Sequence, residues 1–360
     1  MKLLLSLCLA ACIALTSSCH SDGGEDTTTI SVAGLYSLTG NWSSLGITSQ
    51  EAMRLAQNDI NTQLAARGSN IRFASVVYDT QLDANAARAD IQAAFAGRGI
   101  QLVLGPQSSA EVGAVRSYAD EHGVLVVSQG STASTLALPD DAVFRFCPGD
   151  GPEGDAMSRT MYAAGKRMMI TLARDDAGNL GLQESVNARF AALGGQVDAL
   201  LPYAANTTDF TAVIQQLQTR IAQHVAALGA NQVGVYLASF DECVTLFRAA
   251  VGNTVLRSVP WYGGDGVVQS AALLNDADAR TFAMATSFFA PNFGLPALAN
   301  PRMASLVDEI RTATGIEPDA YALSVYDAMW VIARTVANAP QLLGDFAQLK
   351  LSFEIGRAHV

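Results

Sequence analysis

Two apolar runs that each end in small polar residues constrain the fold of this chain most. Residues 102–104 lead into Gly105, Pro106 and a pair of serines, and residues 124–127 lead into residues 128–132. Short apolar runs bounded in this way are typical of buried strands in a parallel sheet. The carboxyl ends of such strands meet the amino ends of helices, so N–H groups and hydroxyls would converge there on an anionic group. The pattern predicts an α/β sheet with a carboxylate-binding edge.

The serines after the first run also fit a helix-capping pattern. Ser108 and Glu111 have the spacing of a capping box, in which both side chains accept backbone N–H groups at a helix start. This spacing predicts a helix directly after the strand at residues 102–104. Two interpretations stay open, because the hydroxyls can cap helices only or can also bind a ligand.

The alternation of apolar runs and amphipathic stretches continues along the chain. In the first half, strands are expected at residues 30–35, 71–78, 102–104 and 124–127. In the second half, strands are expected at residues 167–172, 197–201, 233–237, 259–262 and 284–289, with helices at residues 179–193, 210–227 and 319–337. This order predicts two successive sets of βα units, each with a parallel sheet.

Length and charge narrow the class of protein. A chain of 360 residues exceeds what one hydrophobic core usually holds, which favours two medium-sized lobes. The formal net charge is -11, and the sequence has no basic cluster. Nucleic acids and anionic membrane surfaces need a basic face that neutralises phosphate, so the composition argues against both as partners.

Several short motifs occur in one order across most of the chain. They are residues 37–40, Asp79 with Thr80, residues 104–109, residues 128–132, Phe144 with Arg145, residues 263–266 and residues 326–328. Together they resemble the leucine/isoleucine/valine-binding family of type I periplasmic binding proteins, the solute receptors of ABC importers. The resemblance implies an α/β fold of two Rossmann-like, doubly wound lobes joined by a multi-crossover hinge, with the ligand in the cleft between them.

The resemblance also implies where each lobe lies along the chain. Lobe one is expected at residues 30–145 and 286–345, and lobe two at residues 146–285. The strand expected at residues 284–289 would return the chain to lobe one. The helix that contains Tyr326 would shape the hinge region without binding the ligand.

Matching positions of the family imply ligand-binding residues in both lobes. Ser109, Ser131 and Thr132 fall where the family binds the carboxylate of the ligand. Asp265 falls at the acidic position that accepts from the ligand ammonium, and Asp150 at an acidic position that lines the cleft after the first hinge. These residue types suit a zwitterion, because a carboxylate needs clustered donors and an ammonium needs a carboxylate partner.

The expected pocket walls differ from the family pattern. Leu45, Leu180 and Phe240 fall where family members often carry aromatic residues. The pocket departs from this pattern at Leu45 and Leu180, so its walls are expected to be more apolar and wider, with these two leucines as indirect wall residues. Other roles stay open for two positions. Asp265 could serve only a tight turn with its neighbouring glycines, and Phe240 could belong to the hydrophobic core.

The N-terminus predicts export and lipid attachment. Residues 1–18 read as a lipoprotein signal peptide, with a positive start and an apolar stretch too short to span a bilayer. Cys19 then resembles the lipid-bearing cysteine of a bacterial lipobox, while Cys12 offers a better motif but an unusually short signal. Residues 19–29 are expected to form a flexible tether. The expected location is the cell envelope or periplasm, with a chance cysteine in a secreted protein as the alternative.

The remaining cysteines and histidines give no sign of enzyme chemistry. Cys147 and Cys243 could form a disulfide or stay as two buried thiols. The histidines lie apart, so the sequence predicts neither a zinc site nor any other cofactor. Residues 149–154 match the glycine spacing of a dinucleotide-binding loop, but prolines at 148 and 152 favour a simple loop.

The last residues indicate an artefact. Residues 354–360 are what a widely used sequencing adapter encodes in this reading frame. We therefore expect them to be foreign to the natural protein, whose own C-terminus would be missing, since members of the family continue with further strands.

These features predict a binding protein for a small solute. The resemblance implies that it captures an α-amino acid, with a mostly apolar side chain such as leucine, isoleucine, valine or phenylalanine, for an ABC permease. A sensory or orphan binding lipoprotein of the same fold is the alternative, and an enzyme on this scaffold is a third. The membrane would be contacted only through the lipid anchor.

Overall fold

The computed structural model describes residues 27–294 and 300–357. Its strands are β1 Thr28–Tyr36, β2 Ile71–Asp79, β3 Leu102–Leu104, β4 Leu125–Ser128, β5 Val143–Arg145, β6 Met168–Asp175, β7 Gln196–Ala199, β8 Tyr203–Ala204, β9 Val233–Ala238 and β10 Trp261–Gly263. Its helices are α1 Ser43–Ala66, α2 Ala84–Arg98, α3 Ser109–His122, α4 Asp150–Ala163, α5 Ala177–Ala192, α6 Thr211–Leu228, α7 Cys243–Ala250, α8 Ala271–Asn275, α9 Ala277–Ala285, α10 Pro301–Thr314, α11 Ala320–Val336 and α12 Phe346–Arg357. Among these described helices, none is long and apolar enough to cross a membrane.

Lobe one is built on a parallel sheet with the strand order β2-β1-β3-β4-β5. Helices α1, α11 and α12 cover one face of this sheet, and α2 and α3 cover the other. Both faces are therefore buried, which explains the continuous apolar runs of β3 and β4. The pairing of β1 with β2 begins with Thr28 opposite Ile71. Thr28 and Thr29 thus belong to a strand, and the predicted tether, which ended at residue 29, includes two residues too many.

Lobe two repeats this arrangement with the order β10-β9-β6-β7, and β8 adds to β6. Helices α4 and α5 cover one face, while α6, α7 and α9 cover the other. Phe190 and Phe247 are fully buried on opposite faces of the sheet. Truncation of such a core phenylalanine to alanine typically costs about 3–5 kcal/mol, so these layers contribute strongly to the stability of lobe two.

Both sheets change their winding direction at one point. In lobe one, β1 lies next to β3, and in lobe two β6 lies next to β9. Ligands of open α/β sheets bind outside the carboxyl ends of the strands at such a switch point. The loops that follow these four strands carry Trp42, Ser108, Asp176 and Phe240. The topology therefore directs the search for a site to the place where these loops of the two lobes meet.

The strand predicted at residues 284–289 is wrong. Asp276 caps α9, which continues to Ala285, and Phe289 makes only an isolated bridge with Tyr262. Phe288 and Ala290 pack against the core of lobe two. Lobe two therefore extends beyond residue 285, where the sequence analysis ended it, and the chain returns to lobe one between residues 290 and 301.

Lobe one extends beyond residue 345, its predicted end. Leu349 and Phe353 of α12 are fully buried, and the Phe353 ring lies 4.9 Å from that of Phe144. Residues 354–357, part of the predicted artefact, continue the same helix, whereas residues 358–360 lie outside the described residues.

The two central cysteines are both free thiols. Cys243 is fully buried in the core of lobe two. Cys147 is half-buried, and its Sγ donates to the carbonyl oxygen of Ser131 at 3.4 Å. Of the two alternatives that the sequence left open, the structure shows two thiols. Cys12 and Cys19 lie outside the described residues.

Candidate functional site

The two lobes meet over a small cavity at the carboxyl ends of their strands. Its volume is about 10 Å³, close to the space that one water molecule needs. The lining residues come from both lobes: Trp42, Ser108, Ser109, Gly130, Thr132, Gly178, Asn179, Leu182, Phe240 and Asp265. Because neither lobe encloses the cavity alone, movement of the lobes would change its size.

The amino end of α3 supplies the lobe-one side of the cavity. Ser108 and Glu111 form the predicted capping box, with the N–H of Ser108 donating to Glu111 Oε2 at 2.9 Å and the N–H of Glu111 donating to Ser108 Oγ at 3.3 Å. Ser109, the first helical residue, is 3% exposed. Its Oγ accepts from the Ser131 hydroxyl and from the N–H of Ala133, both at 3.1 Å. The positive end of the helix dipole adds to these groups and favours an anion here.

Two of the predicted site residues lie behind this surface. Ser131 is fully buried and holds the Ser109 hydroxyl in place. Asp150 accepts from the Thr132 hydroxyl and from the N–H of Ser134. The N–H of Asp150 in turn donates to the carbonyl oxygen of Thr132 at 3.0 Å. Ser109 and Thr132 therefore face the cavity, whereas Ser131 and Asp150 position them.

Asp265 places a carboxylate on the lobe-two side. It is 5% exposed and accepts from the hydroxyl of Tyr321 and from the N–H of Gly266. Burial raises the pKa of Asp265 to about 6, although the Tyr321 hydrogen bond acts in the opposite direction. A carboxylate in such dry surroundings binds an ammonium strongly, because the local dielectric is low.

Trp42 and Phe240 fill the centre of the contact between the lobes. Their ring centroids are 4.7 Å apart, and the Trp42 ring also lies edge-on to Tyr321. Leu45 is 2% exposed and packs in the same cluster without lining the cavity. The predicted wall residue Phe240 thus faces the cavity, while Leu45 supports Trp42 from behind.

Leu180 does not face the cavity. It packs among the residues between α5 and the sheet of lobe two, and Leu182 lines the cavity in its place. Asp176 caps α5, which fixes the helical register. In that register Gly178, Asn179 and Leu182 share one face, since residues three and four apart are neighbours on a helix, and Leu180 points elsewhere.

The loop that carries Trp42 is held by its own contacts. The side chain of Gln107 accepts from the N–H of Ser37 at 3.1 Å and donates to the carbonyl oxygen of Trp42 at 3.0 Å. Trp42 has the left-handed backbone conformation, with φ 56°, which is unusual for a bulky residue. Gly46 allows the close approach, because a Cβ there would lie 1.9 Å from the carbonyl oxygen of Ser37.

Two further hydrogen bonds join the lobes next to the cavity, in addition to that from Tyr321 to Asp265. Asp241 of lobe two accepts from the N–H of Trp42 at 2.8 Å and from the hydroxyl of Ser270. The N–H of Ala271 in lobe two donates to Ser44 Oγ at 2.8 Å. Burial raises the pKa of Asp241, although the hydrogen bonds that it accepts from Ser270 and from the N–H of Trp42 lower it. We call Asp241 with Trp42 and Ser44 with Ala271 the latch.

Trp42, Glu153 and Tyr321 were not predicted as site residues, and neither were Asn179 and Leu182 of α5. Trp42 lies in the loop just after the motif at residues 37–40, and its position after a strand was a usable signal. Glu153 accepts from the N–H of Asp265 at 3.2 Å, although its stretch was expected to be a simple loop. Tyr321 comes from the helix that was expected only to shape the hinge. The contacts of Glu153 and Tyr321 with Asp265 join residues far apart in sequence, so local pattern gave no sign of them.

A larger groove of about 380 Å³ lies on the outside of lobe one, between α1, α10 and α11. The hydroxyl of Tyr326 there donates to Asp59 at 2.6 Å and accepts from Arg302 at 3.3 Å. This groove belongs to one lobe, and Tyr326 links two of its charged groups, Asp59 and Arg302. Within the described residues, no group of three His, Cys, Asp or Glu side chains is arranged to hold a metal ion. The cleft is therefore the candidate site.

Known proteins resemble the chain over nearly its whole length. The sequence model of the family described as periplasmic binding protein matches residues 29–351. An uncharacterised protein of Methanocaldococcus jannaschii is 28% identical over 336 residues, which cover 92% of this chain and 78% of that protein. The Leu/Ile/Val-binding protein homolog 2 of Brucella abortus is 24% identical over 350 residues, 96% of this chain and 85% of that protein.

A solved structure shows the same fold. The branched-chain amino acid transporter substrate-binding protein LivJ of Streptococcus pneumoniae, in complex with isoleucine, superposes with a TM-score of 0.72 at 17% identity. The match covers 91% of this chain and 88% of LivJ. It confirms the predicted fold of two doubly wound α/β lobes, and the family match confirms the resemblance seen in the motifs. The chain belongs to the periplasmic binding protein family, and its fold is that of the type I members that include the branched-chain amino acid receptors.

Proposed function

We propose that this protein captures a free α-amino acid with an apolar side chain in the cleft and delivers it to an ABC permease. The observation that carries this proposal is the opposite chemistry on the two sides of one cavity. Lobe one presents the hydroxyls of Ser109 and Thr132 at a helix amino end, and lobe two presents the carboxylate of Asp265. A zwitterion is the simplest ligand that satisfies both sides.

The proposal gives each lining group a role. Ser109 and the first-turn N–H groups of α3 would bind the ligand carboxylate, because the first N–H groups of a helix have no partner within it. The Thr132 hydroxyl would join them by turning its proton from Asp150 to the ligand. Asp265 would accept from the ammonium. Trp42 and Phe240 would contact the side chain, and their apolar rings favour an uncharged one.

Binding would require movement of the lobes. A cavity of about 10 Å³ is far smaller than an amino acid, and Trp42 and Phe240 occupy the space between the lobes. The lobes would part about the hinge, the ligand would enter, and the lobes would close on it. The latch would then add contacts that do not depend on the ligand.

A thermal-shift series with matched ligands tests the proposal. A ligand that binds only the folded protein stabilises it by about 2.7 kcal/mol at one hundred times its Kd, which a melting curve detects. We expect L-leucine, L-isoleucine, L-valine or L-phenylalanine to raise the melting temperature. Leucine amide, which lacks the carboxylate, and 4-methylpentanoate, which lacks the amine, should each give a much smaller shift.

The failure of this series would be informative. If 4-methylpentanoate shifted the protein as much as leucine does, the ammonium role of Asp265 would be refuted. If the amino acids had no effect while amides or sugars stabilised the protein, the zwitterion assignment would fail and a receptor for another solute would remain.

An aromatic carboxylate without an amine is a second candidate. The rings of Trp42 and Phe240, 4.7 Å apart at the cavity, could pack against an aromatic ligand, since offset and edge-on ring pairs are favourable. Benzoate distinguishes the two candidates. A benzoate shift larger than that of any amino acid would favour this second function.

We also propose that the protein is anchored by a lipid at Cys19, since the signal-like start and the polar segment behind it favour a lipoprotein. The family itself implies a location outside the cytoplasm. In a bacterial host, the wild type should partition into the detergent phase, whereas Cys19→Ser should not. If Cys19→Ser still entered the detergent phase and Cys12→Ser did not, the lipid would be assigned to Cys12 instead.

Coupling to a transporter is part of the proposal, and a sensory or orphan receptor is the alternative. The pocket chemistry is the same in both cases. Permease and ATPase genes beside the gene for this protein would favour import, and a sensor kinase gene in their place would favour signalling.

A further inference from the structure

Glu153 places a second carboxyl group against the one that faces the cavity. It projects from the first turn of α4 and accepts from the N–H of Asp265 at 3.2 Å. Burial and the nearby Asp265 raise the pKa of Glu153 well above its ordinary value. Two ionised carboxylates this close repel each other, which favours a state in which the pair shares one proton.

The charged groups around the pair are mostly acids, namely Asp150, Asp176 and Asp319. Two arginines lie nearby but are engaged elsewhere. Arg174 lies 2.9 Å from Asp176 and 3.3 Å from Glu242, and Arg145 donates to the carbonyl oxygens of Ser131 and Ala133. A ligand ammonium would add a positive charge beside these acids.

Two further polar atoms beside the pair lack a partner. Tyr236 is fully buried, and its hydroxyl, which faces Glu153, Asp265 and Asp150, has no hydrogen-bond partner among the described residues. Asp150 is 2% exposed, and its Oδ1 is likewise unpartnered there. A buried polar group without a partner costs free energy, so these atoms point to a missing polar occupant.

We propose that Glu153 is a second ligand-recognition residue, and that the Glu153–Asp265 pair exchanges its shared proton for the ammonium group of the ligand. This inference rests on the proposed function and deepens it. It restricts the ligand to solutes with a charged amine, because a neutral amide has no charge to exchange for the proton.

The exchange balances in atoms and charge. Before binding, Glu153 is protonated and donates to the ionised Asp265. When the ammonium binds, the proton leaves Glu153 for the solvent, and both carboxylates accept N–H bonds from the ammonium. Below the pKa of the pair, affinity for the ligand should therefore rise up to about tenfold for each pH unit.

Calorimetry of the wild-type protein with L-leucine tests this exchange. Titrations at pH 7, where Asp265 with its pKa of about 6 is mostly ionised, in two buffers with different ionisation enthalpies give the number of protons released for each ligand bound. We expect a release approaching one proton in the wild type and only about a tenth of a proton in Glu153→Gln. The glutamine keeps an oxygen that can accept from the N–H of Asp265, so the variant should fold and still bind.

A matched control and the pH profile complete the test. Glu121→Gln on the exposed end of α3 should release protons as the wild type does. The leucine affinity of Glu153→Gln should be nearly flat between pH 7 and pH 8, where Asp265 is ionised, and should fall only below about pH 6. Binding without proton release in the wild type, or equal release in Glu153→Gln, would overturn the inference and leave the amino-acid receptor intact. If no amino acid binds at all, the proposed function and this inference both fail.

Discussion

The two lobes share one topology but present opposite chemistry to the cleft. In lobe one, the groups at the cavity are neutral donors, Ser109 and Thr132, which are held by Ser131 of the same lobe and by Asp150 of lobe two. In lobe two, the charged group at the cavity is the acid Asp265, with Glu153 beside it. The same βα unit thus supplies a helix amino end in one lobe and an acidic turn in the other. The difference teaches that the residues after the strands, and not the strands, set what each lobe can bind.

The largest expected effect on ligand affinity follows removal of the charged group that lobe two places at the cavity. Asp265→Ala should weaken leucine binding by about a hundredfold or more, because the ammonium would be left without an ionic partner in a dry site. Asp278→Ala, on an exposed position of α9 in the same lobe, should bind as the wild type does. Isothermal titration measures both. Equal affinity of Asp265→Ala and the wild type would return Asp265 to the role of a turn residue.

A smaller effect is expected on the lobe-one side. Ser109→Ala removes one neutral hydroxyl, while the helix amino end and Thr132 remain. The loss of one hydrogen bond to a charged group is worth about 1.5–3 kcal/mol, so leucine affinity should fall by about tenfold to a hundredfold. Ser305→Ala, on an exposed position of α10, is the control. A loss as large as that of Asp265→Ala would contradict the idea that lobe one binds through many weak donors.

One buried acid of lobe one is an exception to the contrast between neutral donors in lobe one and acids in lobe two. Asp319 caps α11, accepts from the N–H of Ala322 at 2.9 Å and faces Asp265. Burial raises the pKa of Asp319 to about 7. The folded protein thus holds a proton that the unfolded chain releases, so this contribution to stability is complete below about pH 4 and is lost as pH rises through about 7.

Asp319→Asn tests this contribution, because asparagine caps helices as well as aspartate and stays neutral. We expect the two proteins to unfold alike near pH 4, and the variant to be more stable at pH 8 by on the order of 1 kcal/mol. Urea unfolding at both pH values measures the difference. A variant that is less stable at pH 8 would show that the carboxylate is ionised in the folded protein.

The smallest expected effect concerns the latch. Asp241→Asn keeps an oxygen that can accept from the N–H of Trp42 but removes the charge next to the amino end of α1. A charge at this place is worth about 0.3–1 kcal/mol, so leucine affinity should fall only by about twofold to fivefold. Small-angle scattering without ligand should report a larger radius of gyration than for Asp278→Asn. An unchanged radius would show that the latch does not hold the lobes together.

Local pattern predicted the order of strands and helices because periodicity and caps act over a few residues. The Ser108 and Glu111 capping box is an example, and it fixed the start of α3 correctly. The same pattern failed at residues 284–289, where the cap at Asp276 extends a helix through residues that resemble a strand. The end of lobe two was placed too early, at residue 285, because residues 284–289 were expected to form a strand of lobe one.

The candidate site was only partly predictable. Ser109, Thr132, Phe240 and Asp265 follow strand ends, so topology brings them to one cavity. Glu153 meets Asp265 across 112 positions of sequence, and neither residue signals the other. Leu180 was expected at the pocket wall, but the helical register of α5 places Leu182 at the cavity instead.

Helix α1 has no capping side chain of its own. Its N-cap residue Trp42 makes no side-chain cap bond, and Asp241 of the other lobe accepts its N–H. When the lobes part, the amino end of α1 loses both this acceptor and a charge that suits its dipole. Its first turn would then fray, and amides of residues 43–46 would take up deuterium faster in the open protein than in the closed one. Deuterium uptake in this one turn would thus act as a label-free gauge of lobe closure.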